Sequence, residues 1–169
     1  ITAITATAFS GLTSAQIATL GTEQIAGLAS DQLLALTDVQ LRGFTTAQIA
    51  AIASEDLATL NGTQWQAFTT AQIAALSSDQ VAAMDSADVM ALTTAQIRAL
   101  DTQDIAAMDS SDLSAFTGEQ MSALTSSQVR AIETNDLNAL GASQLNELGS
   151  AQIRALSQAQ IDALATDVI

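Results

Sequence analysis

Apolar and polar residues recur along this chain with a period of eight residues that never slips. The clearest copy is Thr69-Thr70-Ala71-Gln72-Ile73-Ala74-Ala75-Leu76, whose residues define positions 1 to 8 of the repeat. Position 5 is apolar in every copy from Ile1 to Ile169, and position 8 is apolar from Ile4 to Leu164. Position 4 is Gln or Asp from Gln16 to Gln160, and position 7 is mostly Ala. The chain is therefore interpreted as a tandem octapeptide array.

This period fits neither one long helix nor a simple strand. Eight residues of an unbroken helix advance by about 800°, roughly 80° beyond two turns, so the apolar stripe would wander around the helix. In a strand, positions 5 and 8 would point to opposite faces, because side chains alternate. The abundance of Ala, Gln and Leu also disfavours strands. A backbone that changes direction in every repeat is required.

Positions 1 and 2 carry the residues that begin helices. They are nearly always Thr, Ser, Asp, Asn or Gly, which suit an N-cap. Many copies read Thr/Ser-x-x-Gln, as in Thr45-Thr46-Ala47-Gln48, which is the capping-box pattern. Either position 1 or position 2 can be the cap. We predict an all-α solenoid with one short capped helix per repeat, and a β-solenoid with bends inside each octapeptide as the alternative.

A slower period of 24 residues runs above the octapeptide. Thr-Thr-Ala-Gln-Ile begins at Thr45, Thr69 and Thr93, and Asp occupies position 4 at residues 88, 112 and 136. Three helices per coil would stack these like residues along one edge, although gene duplication alone would also leave this period. No stretch of the sequence has the composition of a linker between domains. Residues 1–169 are therefore expected to form one continuous solenoid, which is part of a longer chain or polymer.

The charge of the chain limits the classes of molecule that it is expected to bind. The formal net charge is −14, and all four basic residues are Arg. Such an acidic surface repels phosphate backbones and anionic lipid headgroups, so nucleic acid is not expected to bind. No apolar run approaches the ~20 residues that cross a bilayer, so membrane insertion is not expected either.

The inventory of reactive side chains is small. The chain has no His, Cys, Lys or Tyr, which excludes a Ser-His-Asp triad and the usual zinc ligands. We predict that the chain is not an enzyme and has no catalytic or cofactor-binding residue. Calcium is the one alternative, because paired carboxylates are hard oxygen ligands. The candidate ligands are Asp85, Asp88, Asp101, Asp104, Asp109 and Asp112. Helix capping explains the same pairs more simply.

Two further features have a structural explanation. Thr45, Thr69 and Thr93 could form a flat array facing ice or a glycan, but helix capping accounts for them. Trp65 occupies position 5 and is predicted to fill the core. The Arg residues at position 6 are expected to pair with surface carboxylates.

The motif Thr-Thr-Ala-Gln-Ile-Ala-Ala-Leu, in tandem, resembles the short Thr/Ser-x-x-Gln-Ile repeats of very large, acidic bacterial surface and secreted proteins, which are often described as adhesin-like or RTX-like. The resemblance implies export and a role in a stalk, matrix or filament. The Gly-Gly-x-Gly-x-Asp calcium repeats of the RTX class are missing from this chain.

Together these features favour a structural protein. We predict an extracellular or cell-surface repeat region that acts as a stalk, matrix or filament and associates end to end with copies of itself. The alternative is a solenoid binding module that holds a peptide or glycan on a concave surface made by position 6 and the turns.

Overall fold

The computed structural model describes residues 4–166 and consists there of twenty short helices without a β-strand. The all-α prediction is confirmed, and the β-solenoid alternative is wrong. The helices are α1 (Ala6–Phe9), α2 (Ser14–Ala18), α3 (Thr22–Ala26), α4 (Ser30–Leu34), α5 (Asp38–Leu41), α6 (Thr46–Ala51), α7 (Ser54–Leu57), α8 (Gly62–Ala67), α9 (Thr70–Ile73), α10 (Ser78–Ala82), α11 (Ser86–Ala91), α12 (Thr94–Ala99), α13 (Thr102–Ala107), α14 (Ser110–Ala115), α15 (Gly118–Ala123), α16 (Ser126–Ala131), α17 (Thr134–Ala139), α18 (Ala142–Asn146), α19 (Ser150–Ala155) and α20 (Gln158–Thr166).

Each repeat begins its helix at the same place. Position 1 is the N-cap, with extended backbone angles such as φ −71° and ψ 158° at Thr93. The Thr93 hydroxyl accepts a hydrogen bond from the backbone N–H of Gln96 at 3.3 Å. In many repeats position 8 is extended as well, as at Ile52 with φ −70° and ψ 136°. The chain turns its corner over these two extended residues, and position 1 is thereby identified as the cap.

Helices stack in threes. Each helix packs against the third helix before it and the third after it, as α12 packs against α9 and α15. One coil therefore contains three helices and 24 residues, so the slower period has a geometric origin. The solenoid has three faces, each a column of every third helix. Face I starts with α1, face II with α2 and face III with α3.

The core runs along the axis of the solenoid. Position 5 side chains from Phe9 to Leu137 are at most 1% exposed, and most of the position 8 side chains beside them are also buried. Trp65 is the largest of these side chains and contacts Phe68 edge to face, with ring centroids 5.5 Å apart. Each such side chain contributes roughly 1.5–3 kcal/mol on burial. Ile1 and Ile169, which share position 5, lie outside the described residues.

Small residues let successive coils approach closely. Position 7 of one coil lies over position 2 of the coil before it, and a Cβ added to Gly43 would lie 2.6 Å from the Cβ of Ser14. A Cβ on Gly62 would lie 2.9 Å from that of Ala91 in the same arrangement. Both distances are too short for two Cβ atoms, so each of these contacts requires Gly on one side. None of the helices between residues 4 and 166 has the length and hydropathy that crossing a bilayer requires.

Candidate functional site

The most specific polar feature of the molecule is a column of buried Gln side chains at position 4. Gln96 is 2% exposed and lies in the first turn of α12. Its Oε1 accepts the backbone N–H of Thr93 at 2.8 Å, which completes a capping box. Its Nε2 donates to the carbonyl oxygens of Trp65 at 2.8 Å and Phe68 at 2.9 Å, at the end of α8. One amide therefore caps two helices in different coils.

This arrangement recurs along the whole array, and we name it the glutamine ladder. Each member donates Nε2 to one or more carbonyls 28 to 31 residues earlier, at distances between 2.6 and 3.4 Å. Buried amides have two donors and an acceptor that need partners, and at Gln96 the Thr93 N–H and the two carbonyls supply them. Its members are Gln32, Gln40, Gln48, Gln64, Gln72, Gln80, Gln96, Gln120, Gln128, Gln144, Gln152 and Gln160.

The capping box at position 4 was predicted from the sequence, but the hydrogen bonds from Nε2 to carbonyls of another coil were not. A signal was present, because position 4 is Gln at fourteen copies and Asp at five between residues 16 and 160, and is never Glu. A capping box accepts Glu as readily as Gln. The predominance of Gln over both acidic residues favours a second role for the amide as a donor, and only the stacking of coils shows which groups accept its hydrogen bonds.

Asp at position 4 interrupts the ladder, because a carboxylate has no N–H to donate. Asp104 is 2% exposed, and its Oδ2 accepts the backbone N–H of Asp101 at 2.9 Å. Ser78, in the helix beneath, donates its hydroxyl to Asp104 Oδ1 at 3.4 Å, and Ser30 donates to Asp56 in the same way at 2.6 Å. Burial raises the pKa of Asp104, and the charge of Asp101 adds to that rise.

Replacing Asp104 with Gln is expected to stabilise the chain by about 1–2 kcal/mol at pH 7. The new amide can reach the carbonyls of Ile73 and Leu76, 31 and 28 residues earlier, and a buried charge is removed. Urea unfolding followed by circular dichroism at 222 nm measures the change. Asp79→Asn, at an exposed site in α10, is the matched control and should change stability by less than about 0.5 kcal/mol. Equal effects of the two substitutions would contradict the role of the ladder.

The predicted calcium residues are used as helix caps. The Asp85 carboxylate accepts the N–H groups of Ala87 and Asp88 at 2.8 and 2.9 Å, and Asp88 accepts the N–H of Asp85 at 3.2 Å. Asp101 and Asp109 cap α13 and α14 in the same way, with Asp104 and Asp112 in the first turns. Within residues 4–166, no group of three or more acidic side chains is arranged to hold a metal ion.

The structure also shows where the other residues singled out from the sequence lie. Thr45, Thr69 and Thr93 cap α6, α9 and α12, which stack on face III. Trp65 is fully buried, as predicted for a core residue. The pairing of Arg42 and Arg98 with surface carboxylates stays a prediction, but both side chains have a further role. Their Nε atoms donate to backbone carbonyls of the next coil, 25 residues ahead, at 3.0 and 2.9 Å.

Shallow grooves follow the junctions between coils on the outer surface. One groove of about 420 Å³ lies between α12 and α15 and is lined by Thr94, Ala95, Arg98, Glu119, Ser122 and Ala123. A second, of about 380 Å³, lies between α14 and α18 and includes Ser114, Gln144 and Glu147.

Three stretches of the chain match the model of one repeat family. They are residues 49–86, 81–118 and 129–166, and together they cover more than half of the chain. The chain belongs to the ALTTAQ repeat family. The six letters of that description occur unchanged at residues 91–96, from the end of α11 into α12. The last letter is Gln96 of the ladder. No curated protein matches this ALTTAQ repeat chain.

Proposed function

We propose that this ALTTAQ repeat region is a structural spacer, which forms an extracellular stalk, matrix or filament. The observation that carries the proposal is the glutamine ladder, because the same bonds join successive coils at twelve of the seventeen copies of position 4 between Gln32 and Gln160. Each further repeat adds the same contacts and the same increment of length. Such an array extends without needing a unique surface at any point.

The distribution of side chains supports this proposal. Large apolar residues at positions 5 and 8 form the core along the axis of the array, and the Gln side chains at position 4 form the ladder. The exterior carries Ala, Ser, Thr and carboxylates, with a net charge of −14 for the chain. Acidic surfaces of this kind keep a long repetitive protein soluble.

End-to-end association of copies is part of the proposal. Each coil presents one surface that fits the coil before it and another that fits the coil after it, as α12 fits between α9 and α15. Two different complementary surfaces make a heterologous contact, which produces open filaments when the rotation does not close. Acidic copies repel one another, and salt screens this repulsion. Association should therefore be stronger at moderate or high salt.

The alternative function is a binding module for a peptide or a glycan. The observation that favours it is the groove between α12 and α15, where Arg98 and Glu119 supply charged groups beside Thr94 and Ser122. A short peptide or a glycan could form hydrogen bonds and ion pairs with these side chains. The proposed location is the bacterial cell surface or the extracellular space in either case.

Negative-stain microscopy of the purified chain tests the structural proposal. We expect thin rods of uniform width that join into longer filaments as protein and salt concentrations rise. Sedimentation velocity over the same concentrations gives the association quantitatively. Monomers at every concentration would contradict self-association. Selective binding to a glycan or peptide array that Arg98→Ala abolishes would favour the binding module, and antibody labelling of intact source cells tests the location.

A further inference from the structure

The first coils of the described array contain position 4 amides that no described carbonyl accepts. Gln16 and Gln24 are exposed, whereas Gln at position 4 is buried in nearly every later repeat. The Oε1 of Gln16 accepts the backbone N–H of Thr13 at 2.9 Å, as in the capping boxes of interior coils. Its Nε2 forms no hydrogen bond with any residue between 4 and 166. The acceptor half of this amide is therefore fixed as in the glutamine ladder, and the donor half is free.

The matching acceptor geometry is found at the opposite end, where α19 finishes. Leu156 is extended there, with φ −55° and ψ 137°, close to φ −62° and ψ 140° at Phe68. The N–H of Leu156 donates to the carbonyl of Ile153 at 3.3 Å, and that of Phe68 donates to Trp65 at the same distance. The carbonyls of Trp65 and Phe68 receive the Gln96 amide. The end of α19 thus has the backbone geometry of a ladder acceptor, and no described amide side chain donates to it.

Apolar side chains are also uncovered at the two ends. Position 5 side chains from Phe9 to Leu137 are at most 1% exposed, but Ile153 and Ile161 are each 45% exposed. At the other end Ile4, which occupies position 8, is 41% exposed. Inside the array these positions are covered by another coil of the same repeat. The uncovered surface therefore continues an interface that this chain already forms, and a coil of a second copy is its complement.

We propose that the glutamine ladder continues across the contact between two copies of this chain. Gln16 of one copy donates its amide to the carbonyls of Ile153 and Leu156 of the copy before it, as Gln96 does within one chain. The partner is a second copy, docked as the next coil of the array. This inference rests on the end-to-end association proposed above and adds the bond that fixes its geometry.

The spacing of the ladder sets the register of the two copies. Within one chain the Gln96 amide of α12 donates to the end of α8, four helices earlier, and α12 packs against α9, three helices earlier. An α2 that donates to the end of α19 therefore packs against α20 of the same partner. Both α2 and α20 belong to face II, so each face of one copy continues the same face of the other.

The bond also gives the contact a direction. The free donor lies on the first coils of the described array, and the matching carbonyls lie on the last. Two like ends cannot form this bond, because each would offer only donors or only acceptors. The contact is heterologous, and its repetition produces a polar filament with all copies in the same orientation.

Gln16→Glu tests the bond in the full chain. The substitution keeps the acceptor of the capping box, so α2 still has its cap, but it removes both N–H donors and places a carboxylate against two carbonyls. We expect the association constant from sedimentation velocity at high salt to fall by at least roughly tenfold. Gln103→Glu adds the same charge at an exposed position 3 in α13. This control should associate like the unaltered chain.

A pair of introduced Cys residues tests the register, since the chain has no Cys of its own. Position 7 of one coil lies over position 2 of the coil before it, as Gly43 lies over Ser14. Thr19 of one copy should therefore lie over Gln158 of the other, within reach of a disulfide. Thr19→Cys with Gln158→Cys should form disulfide-linked oligomers on mild oxidation. Thr19→Cys with Ser150→Cys, whose second site is on face I, is the control and should form few.

The outcomes separate this inference from the proposed function. If Gln16→Glu and Gln103→Glu associate equally well, the copies join without the ladder, and the spacer proposal stands alone. Equal cross-linking of the two Cys pairs would show that the faces do not stay in register. Absence of association in the unaltered chain would overturn both this inference and the end-to-end part of the proposed function. If circular dichroism shows that Gln16→Glu does not fold, the Cys pairs decide the matter.

Discussion

Gln96→Ala is expected to destabilise the chain by about 2–4 kcal/mol, although it removes no large apolar group. The substitution leaves the backbone N–H of Thr93 and the carbonyls of Trp65 and Phe68 without their shared partner. These groups lie at a buried corner, where each lost hydrogen bond costs more than at the surface. Urea unfolding followed by circular dichroism at 222 nm measures the loss.

The control for this prediction is the same substitution at Gln16. Gln16 accepts the N–H of Thr13 at 2.9 Å, but the residues 28 and 31 positions earlier would precede Ile1, so this chain contains no carbonyls for its Nε2. Gln16→Ala should therefore cost only about 1 kcal/mol. Gln96→Glu keeps the acceptor and removes both donors, so it should destabilise the chain at least as much as Gln96→Ala at pH 7. If the two Ala variants differ by less than about 0.5 kcal/mol, the ladder contributes nothing beyond the local cap.

Ile97→Ala is expected to cost about 2–5 kcal/mol, the usual range for a large-to-small change in a packed core. Ile97 occupies position 5 and is fully buried in the axis of the solenoid. The cavity cannot be filled by a local shift, because coils on both sides are held by the glutamine ladder. Thermal unfolding and urea unfolding of the variant both measure this effect.

Ile153 provides a matched control for the core substitution. It is also Ile at position 5, but it is 45% exposed in α19. Ile153→Ala should cost less than about 1 kcal/mol, since little apolar area is uncovered. A loss as large as that of Ile97→Ala would show that position 5 acts through helix formation within its own repeat, and that burial between coils is not its main contribution.

The two pairs of variants test one physical idea, that most of the folding stability comes from contacts between neighbouring coils. Helices of four to nine residues are too short to be stable alone. Burial at positions 5 and 8 and the bonds of position 4 each require a neighbouring coil. Stability in such arrays is a sum of repeat and neighbour contributions.

Much of the architecture could be read from the residues. The strict period excludes a long helix and a simple strand, and Thr and Ser at position 1 mark where each helix begins. The 24-residue recurrence of Thr45, Thr69 and Thr93 indicated three helices per coil, which the stacking of α6, α9 and α12 confirms. The bond from Arg42 Nε to the carbonyl of Ala67 could not be predicted, because Ala67 belongs to another coil.

The sequence by itself determined the period, the helical class, the caps and the apolar axis, because these depend on spacings of at most eight residues within one chain. Tertiary structure alone decided what lies 25 to 31 residues away: the carbonyl that receives Arg42 Nε, the carbonyls that receive the Gln96 amide and the Ser78 hydroxyl on Asp104. The reason is geometric. A local pattern fixes which side of a helix is buried, whereas the pitch of the coil selects which backbone atoms lie opposite it.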